Sequence, residues 1–409
     1  MRIAIVHPGM DCKGGSENVV AWLAEGLRRR GHAVTLVTDR FDPTLWPDEF
    51  VRHLEPVFLP ELALRAPIRS KWLRRWAKIA FLARALRGFD WVVGQHFPTY
   101  TWSVSARRLV RGRWRVLWLC QEPLRRLYHP VTDRHVHAWE SLTPPGIDNE
   151  HLCREMAMRV RARPRRLRRD ARDRRWDRAA VLACDRVVAT SRFTARHVRE
   201  IFGAEATVCH NGLPLPDARP FCSGEYVALL TTLSRLKNAH NVVRAAHELV
   251  RRRGVRDLQL KIAGQGPERG VLEGMVSELG LAAHVGFLGP LRDAELPDFY
   301  HRARLVAYCP IDEPFGLVPL EALALRTPPV VSDHGGPAEL IENGVTGLHA
   351  NPLDPTSIAD AIERLWRDPR RAHRLAEAGH AAVRKHHSLD AFVDRVEGVL
   401  AADAHRPAR

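Results

Sequence analysis

The stretch "DEPFGLVPLEALALRTPPVVSDHGG" (residues 312–336) puts two glutamates where a solvent-facing helix would not need them. Glu313 lies in a turn with Pro314 and Gly316, and Glu321 follows eight residues later near the start of an apolar helix. The flanks "LVAYCP" and "PPVVSDHGG" are apolar runs that read as buried parallel strands. The stretch is therefore predicted to run strand, turn, helix, strand. In open α/β sheets such a turn sits at the carboxyl edge of the strands, where ligands bind. Two carboxylates at that edge call for a partner.

The alternation continues on both sides. Toward the N-terminus, "RIAIVHP" (2–8), "AVTLVTD" (33–39), "FDWVVGQH" (89–96), "RVLWLCQ" (115–121) and "ACDRVVATS" (183–191) read as strands. "KGGSENVVAWLAEGLRRRGH" (13–32) is a Gly-rich turn feeding a helix, with Ser16 as the expected N-cap and Val20, Leu23 and Leu27 as its buried stripe. "HNGLPLPDARPFCSGE" (210–225) carries prolines and glycines without periodicity and reads as an interdomain linker. Beyond it, strands at 226–233, 258–263, 284–288, 304–309 and 329–332 alternate with helices. The fold class is α/β, two doubly wound parallel sheets. The expected domains are 1–215 and 216–385, and amphipathic helices close the chain.

At 409 residues, with 45% hydrophobic and 27% charged residues, the chain has the composition of a globular protein of two ordinary domains. No run of 18 apolar residues is present, and the opening "MRIAIVHPGM" lacks the pattern of a signal peptide. The seven cysteines never form a CxxC, which favours reduced thiols in the cytosol over a structural zinc site. The net charge of +16 is one-sided: residues 1–215 hold 39 Lys+Arg against 22 Asp+Glu, and the remainder 24 against 25. The first half is expected to face something anionic.

Five segments in order carry a resemblance: "KGGSENVVAWLAEGLRRRGHAVTLVTD", "CHNG", "IAGQGP", "VGFLGPLRDAELPDFYHRARLVAYCP" and the E-x7-E of "EPFGLVPLE". Together they resemble the family-4 retaining glycosyltransferases. The resemblance implies the GT-B fold, two Rossmann-like domains facing across a cleft, with a final helix (386–409) crossing back to the first. It also implies an acceptor-binding first domain and a second domain that binds a nucleotide-diphosphate sugar.

The chemistry at each motif fits such a donor. Glu321 is placed to accept hydrogen bonds from both ribose hydroxyls. The amides of Phe315, Gly316, Leu317 and Val318 open its helix and form an anion site for phosphate, with Gly316 allowing close approach. The resemblance places Glu313 near the hydroxyls of the donor sugar and the main chain near Phe287 and Leu288 at the base. Gly264 and Gly266, in "IAGQGP", are expected where backbone passes close to the nucleotide. The family pattern Arg-Leu-x-x-x-Lys clamps the leaving diphosphate. Lys237 matches the lysine, whereas the arginine position holds Thr232. Arg235 offers a second charge if 235–237 is extended, since i and i+2 then share a face. Gly14 and Gly15 form a turn that either cradles phosphate or admits the acceptor. His96 and Gln121 end two strands at the expected cleft edge. The family often has a histidine where Gln121 stands, and a glutamine can bond a sugar but cannot take its proton. That suits a front-face retaining mechanism in which the leaving phosphate oxygen accepts the proton. No Asp-x-Asp lies near these motifs, so neither metal nor cofactor is expected.

The basic half offers two further segments. "RVRARPRRLRRDARDRRWDR" (159–178) is either a solvated face or a nucleic-acid patch, and its single aromatic residue argues against the patch. "IRSKWLRRWAKIAFLARALRGF" (68–89) places Trp72, Trp76, Ile79, Leu82 and Leu86 near helical spacing. This face either lies on an anionic membrane or packs on its own domain. The expectation is a metal-independent retaining transferase at the cytoplasmic face of a membrane. It would use a GDP- or UDP-linked donor such as GDP-mannose, with a lipid-phosphate, lipid-linked or polysaccharide acceptor. A nucleotide-sugar 2-epimerase of the same fold, or a nucleic-acid-binding protein on a decayed enzyme fold, are the alternatives.

Overall fold

The structure, a computed structural model, describes residues 1–53, 56–58, 71–152, 164–217 and 219–402, with backbone alone at 71, 72 and 164–168. The chain divides into two units. The first comprises Met1–Val131, Arg163–Pro214 and the segment from Leu389; the second comprises Thr132–Ala162 and Leu215–Ser388. The chain divides between Pro214 and Leu215, beside the expected 215, but the expectation of an uninterrupted first domain needs a correction, because the described residues from Thr132 to Leu152 belong with the second unit. Their attachment is polar and sequence-distant: Asn149 Nδ2 donates to Leu353 O (2.9 Å), and Asn241 Nδ2 donates to Asn149 Oδ1 (2.8 Å).

In the first unit the chain order is β1 (Arg2–His7), α1 (Gly15–Arg29), β2 (Ala33–Thr38), β3 (Val57–Phe58), α2 (Lys71–Ala85), β4 (Trp91–Gly94), α3 (Thr99–Val110), β5 (Arg115–Cys120), α4 (Pro164–Val181), β6 (Arg186–Ala189), α5 (Arg192–Phe202) and β7 (Thr207–Val208). The sheet order is β3-β2-β1-β4-β5-β6-β7, all parallel. The direction of winding therefore reverses between β1 and β4. Ile3, Ala4, Ile5 and Val6 of β1 are fully buried, as expected of a central strand covered by helices on both faces.

Helix α1 starts at Gly15 with Gly14 as its N-cap and no side-chain cap, so Ser16 lies inside the first turn. The expected Ser16 cap is corrected: Gly14 already has the extended conformation a cap requires. The stripe of α2 is also corrected in part. Ile79, Leu82 and Leu86 are core residues of this unit, packed with Ala83 and Tyr100, while Leu73 and Trp76 are exposed. The Trp72 side chain, residues 68–70 and the arginines at 159–163 lie outside the described residues. Arg75 stacks over the Trp176 ring and Lys78 pairs with Asp39, so two cations of the stretch serve the unit itself.

The second unit runs β8 (Tyr226–Leu230), α6 (Ala239–His247), β9 (Leu260–Ala263), α7 (Arg269–Glu278), β10 (Val285–Gly289), α8 (Leu296–His301), β11 (Ala303–Tyr308), α9 (Leu317–Ala324), β12 (Pro329–Ser332), β13 (Leu348–Ala350), α10 (Pro355–Trp366) and α11 (Pro369–His386). Its parallel sheet has the order β10-β9-β8-β11-β12-β13, with the reversal between β8 and β11. The core beneath joins Val242, Val243 and Leu249 to Ile358, Ile362 and Leu365.

The last helix, α12 (Leu389–Ala401), belongs to the first unit and lies on α1. Arg30 Nη1 donates to Glu397 Oε2 (2.8 Å) and His32 bonds the other oxygen of Glu397 (2.8 Å). Among the described residues, no helix is long and apolar enough to cross a membrane. Cys153 lies outside the described residues, and the described cysteines are free thiols.

Candidate active site

In the second unit the loops that follow β8 and β11 meet at the point where the winding reverses. Ile311 N donates to Leu236 O (2.9 Å), and Asn238 Nδ2 donates to Cys309 O (2.9 Å) and Pro352 O (2.8 Å). These bonds set Lys237 beside the turn that carries Glu313. Lys237 Nζ donates to Glu313 Oε2 at 2.7 Å, both side chains being partly buried.

Helix α9 begins just past Glu313. Its N-cap Gly316 has φ 98° and no side chain caps the helix, so the orphan amides at this end have no side-chain cap to satisfy them. Only glycine adopts that φ without strain. Gly336 N donates to Glu313 O (2.7 Å), locking "DHGG" against the turn. Phe315 is buried, while Leu317 and Val318 are partly exposed at the helix start. Glu321, one turn further, accepts from the hydroxyl of Tyr300 at 2.6 Å on Oε2. Burial pushes its carboxyl above the usual glutamate range, the Tyr300 bond works against this, and nearby Asp293 adds to it.

Arg235 does not share a face with Lys237. Residues Arg235–Lys237 form a 3-10 turn rather than an extended segment, and Arg235 Nη2 instead meets Glu268 Oε1 at 2.9 Å. In a 3-10 turn, positions two apart point in different directions. The expected geometry for a two-cation clamp is thereby corrected. Gly264 and Gly266 also have another reason to be glycine. Gly264 has φ 124°, and a Cβ there would sit 1.9 Å from Thr231 O; one on Gly266 would sit 2.3 Å from Leu233 O. The close approach is to this chain's own backbone, where Leu233 N donates to Gln265 O (3.0 Å). On β10, Phe287 packs against the core and Leu288 is 46% exposed, so the two alternate across the strand.

The first-unit candidates gather where that sheet reverses. His7 ends β1, and His96 follows β4 with its ring 5.3 Å from that of His7 in an edge-on arrangement. Burial lowers the His7 pKa to about 3, with His96 adding to the effect, and burial lowers that of His96 as well despite nearby Glu17. Both rings are neutral at physiological pH. Gly14 and Gly15 open α1, and the Glu17 carboxylate folds back so far that a Cβ on Gly14 would lie 2.8 Å from its Oε2. Gln121, next after β5, accepts from Asn211 Nδ2 at 2.9 Å.

Sequence reasoning missed Tyr300, Glu268 and a cluster built on Asp312. Asp312 has φ 52° and its carboxylate is fully buried. It accepts from the amides of His135 (3.0 Å) and Val136 (3.2 Å) and from His135 Nδ1 (2.6 Å). His334 stacks on His135 at 3.8 Å and accepts from Asp312 N (3.3 Å). Burial opposes the Asp312 charge, but His135 holds its pKa below the ordinary value. The one available signal was the position of Asp312 immediately before Glu313.

The family described as Glycosyl transferases group 1 matches residues 223–382, and Glycosyltransferase Family 4 matches 13–215. A GDP-mannose-dependent alpha-(1-6)-phosphatidylinositol monomannoside mannosyltransferase of Mycolicibacterium smegmatis is 33% identical over 54% of this chain and 61% of its own. The human alpha-1,3/1,6-mannosyltransferase ALG2 is 33% identical over 41% of this chain and 44% of its own. The chain spans about half the length of the curated relatives it matches. Among solved structures, Anabaena Alr3699/HepE in complex with UDP and glucose has a TM-score of 0.72 at 17% identity, covering 98% of this chain and 100% of the other. Sucrose-phosphate synthase from Thermosynechococcus elongatus has a TM-score of 0.72 at 22% identity, covering 97% and 98%. At such identities these two show the fold.

Proposed function

Because the chain belongs to the family-4 glycosyltransferases of GT-B fold, we propose that it moves a sugar, with retention, from a GDP- or UDP-linked donor to a lipid-linked or polysaccharide acceptor. GDP-mannose is the leading donor. The observation that carries this reading is the Lys237–Glu313 pair beside the uncapped N-terminus of α9. Lys237 and the α9 amides are to take the diphosphate, whose charge grows as the sugar leaves. Glu313 then faces the sugar ring, and Glu321 the ribose diol. The main chain near Phe287 and Leu288 is to meet the base. With Gln121 unable to act as a base, the leaving phosphate oxygen accepts the acceptor's proton.

The name of the mycobacterial relative favours GDP-mannose, while the UDP complex of a protein of the same fold keeps uridine open. A thermal-shift comparison of UDP, GDP and ADP decides between them. A ligand present at a hundred times its Kd stabilises the fold by about 2.7 kcal/mol. No shift with any of the three would reject the donor site. Product anomer, read from NMR coupling constants, should match the donor's, and turnover should persist in EDTA because the Lys237 ammonium and a helix end are to take the diphosphate. An inverted product, or activity lost to chelator and restored by Mn²⁺, would reject this mechanism.

A further inference from the structure

In the second unit, the groups around Asp312 are committed to one another, with one exception. The Asp312 carboxylate accepts from the His135 and Val136 amides and from His135 Nδ1. His334 Nε2 accepts from Asp312 N (3.3 Å), so its Nδ1 carries the proton and donates to Asp333 Oδ1 (3.1 Å). The exception is the outer nitrogen of His135. Its Nδ1 is bound to Asp312 at 2.6 Å, whereas none of the described residues bonds its Nε2, and the side chain is 29% exposed. A histidine held through one nitrogen by a buried carboxylate, with the other nitrogen open to solvent, is oriented to meet a ligand.

The place of His135 in the fold says which ligand. Asp312 immediately precedes Glu313, on which Lys237 rests at 2.7 Å. The His334 ring, stacked on His135 at 3.8 Å, precedes Gly335 and Gly336, and Gly336 N locks the same turn. His135 therefore borders the turn that leads into the uncapped start of α9. Lys237 is the one cation expected of the clamp that remains there, because Arg235 is turned to Glu268. The ionised Asp312 carboxylate only accepts, so His135 Nδ1 keeps its proton. The Nε2 of the neutral ring then offers a lone pair and becomes a donor only when the ring is protonated. A diphosphate is anionic and has only acceptor oxygens, so its arrival favours the protonated ring. The charged groups nearby are Asp312 and Glu313 on this turn, Lys237 on Glu313, and His334 with Asp333. Asp133, Arg134 and His137 flank His135 in its own short helix. Asp312 is the nearest of them, and its charge pairs with a protonated His135. A divalent ion fits less well. His135, Asp312 and His334 have ligand atoms within 4.8 Å of one another, but both His334 nitrogens and the inner one of His135 are already spent.

We propose that His135 is a donor-binding residue that takes up a proton as the nucleotide-sugar binds and supplies a second positive charge beside its diphosphate. This rests on the transferase reading and deepens it. It is not carried over from the family, since His135 lies in none of the five segments that bear the resemblance. The test is isothermal titration calorimetry of the full chain with GDP-mannose and with UDP-glucose, in buffers of different ionisation enthalpy. The diphosphates of these donors keep a constant charge near neutral pH, so any proton taken up belongs to the protein. The parent should take up a fraction of one proton per donor bound. Its affinity should fall between about pH 6 and about pH 8, where histidine changes charge. His135→Gln should abolish the uptake, flatten the pH profile and weaken binding at the acid end roughly tenfold, the loss of one hydrogen bond to a charged group. His334→Gln, which alters the stacked ring without an open nitrogen, should keep the uptake. Melting transitions report folding, and His135→Asn takes the place of His135→Gln if the latter does not melt cooperatively. If neither donor binds the parent, the donor reading fails and this proposal with it. If a donor binds without proton uptake, or uptake survives in a folded His135 variant, this proposal alone is overturned.

Discussion

Lys237 and Glu321 carry different parts of the same donor, and each has a partner already in place. Lys237 rests on Glu313, so an incoming diphosphate takes over a cation that is held in position and not free to swing. Lys237→Ala and Glu321→Ala should each lower kcat/KM on the order of 10²–10³-fold, the usual loss when one preorganised charge stabiliser is removed. Steady-state kinetics on the matched donor check this, with circular dichroism to confirm folding; activity within twofold of the parent would remove both from the site. Tyr300 gives a sharper test. Its hydroxyl restrains a Glu321 pKa that burial raises, with Asp293 pushing the same way and Tyr308 lying beside Tyr300. Only the ionised carboxylate accepts both ribose hydroxyls, so donor binding weakens as pH falls through that pKa. Tyr300→Phe removes the restraint, and the acid limb of the donor kcat/KM profile should move to higher pH. A limb that stays in place would leave Tyr300 as packing alone.

Between elements, the contact of α12 with α1 depends on one missing side chain. A Cβ on Gly26 would lie 2.3 Å from Val393 Cγ2, closer than any real contact, so Gly26→Ala should cost about 1–3 kcal/mol. Urea denaturation measures the loss, and adding Val393→Ala, which removes the clashing methyl, should recover part of it. No recovery would mean the strain lies elsewhere. The Asp312 cluster ties the short helix at Arg134–His137 to the Glu313 turn through charge-assisted bonds. Because its pKa is depressed in the folded state, Asp312 adds stability above the unfolded pKa and loses it as pH falls through the folded one. Asp312→Asn should therefore cost about 2 kcal/mol at neutral pH, the cost of leaving buried donors poorly matched. That difference should shrink in acid; a gap independent of pH would assign the effect to shape and not charge.

Across the chain, the positive excess lies in residues 1–215. Part of it is internal, as the Arg75–Trp176 stack and Lys78–Asp39 pair show. Arg84 and Arg87 remain exposed, as do Leu73 and Trp76. Each cation near an anionic bilayer contributes about 1 kcal/mol, lost beyond a Debye length. The protein should therefore sediment with phosphatidylglycerol vesicles at low salt, less so at high salt, and less with Trp76→Ala. Equal binding to neutral vesicles would remove the electrostatic contribution, and a soluble acceptor would then fit better.

The alternation of apolar runs with amphipathic helices was enough to determine two parallel α/β sheets, and the E-x7-E spacing was enough to place Glu313 and Glu321 around the start of one helix. Both are local: strand period, helix period and turn chemistry are written within a dozen residues. What required the tertiary structure was every contact between distant segments. Ser16 had the right residue type for a cap, yet Gly14 has the cap's backbone. Arg235 had the right charge, yet a 3-10 turn directs it to Glu268. Ile79, Leu82 and Leu86 had the spacing of a membrane face, yet they fill the first unit's core. Thr132–Leu152 precede the linker but pack with the second unit, because Asp312 and Asn241 hold them there. Local propensity reports what a segment prefers alone. Which of two acceptable partners a side chain meets depends on loop ends brought together by the sheet order, and that order is set by the burial of the whole core.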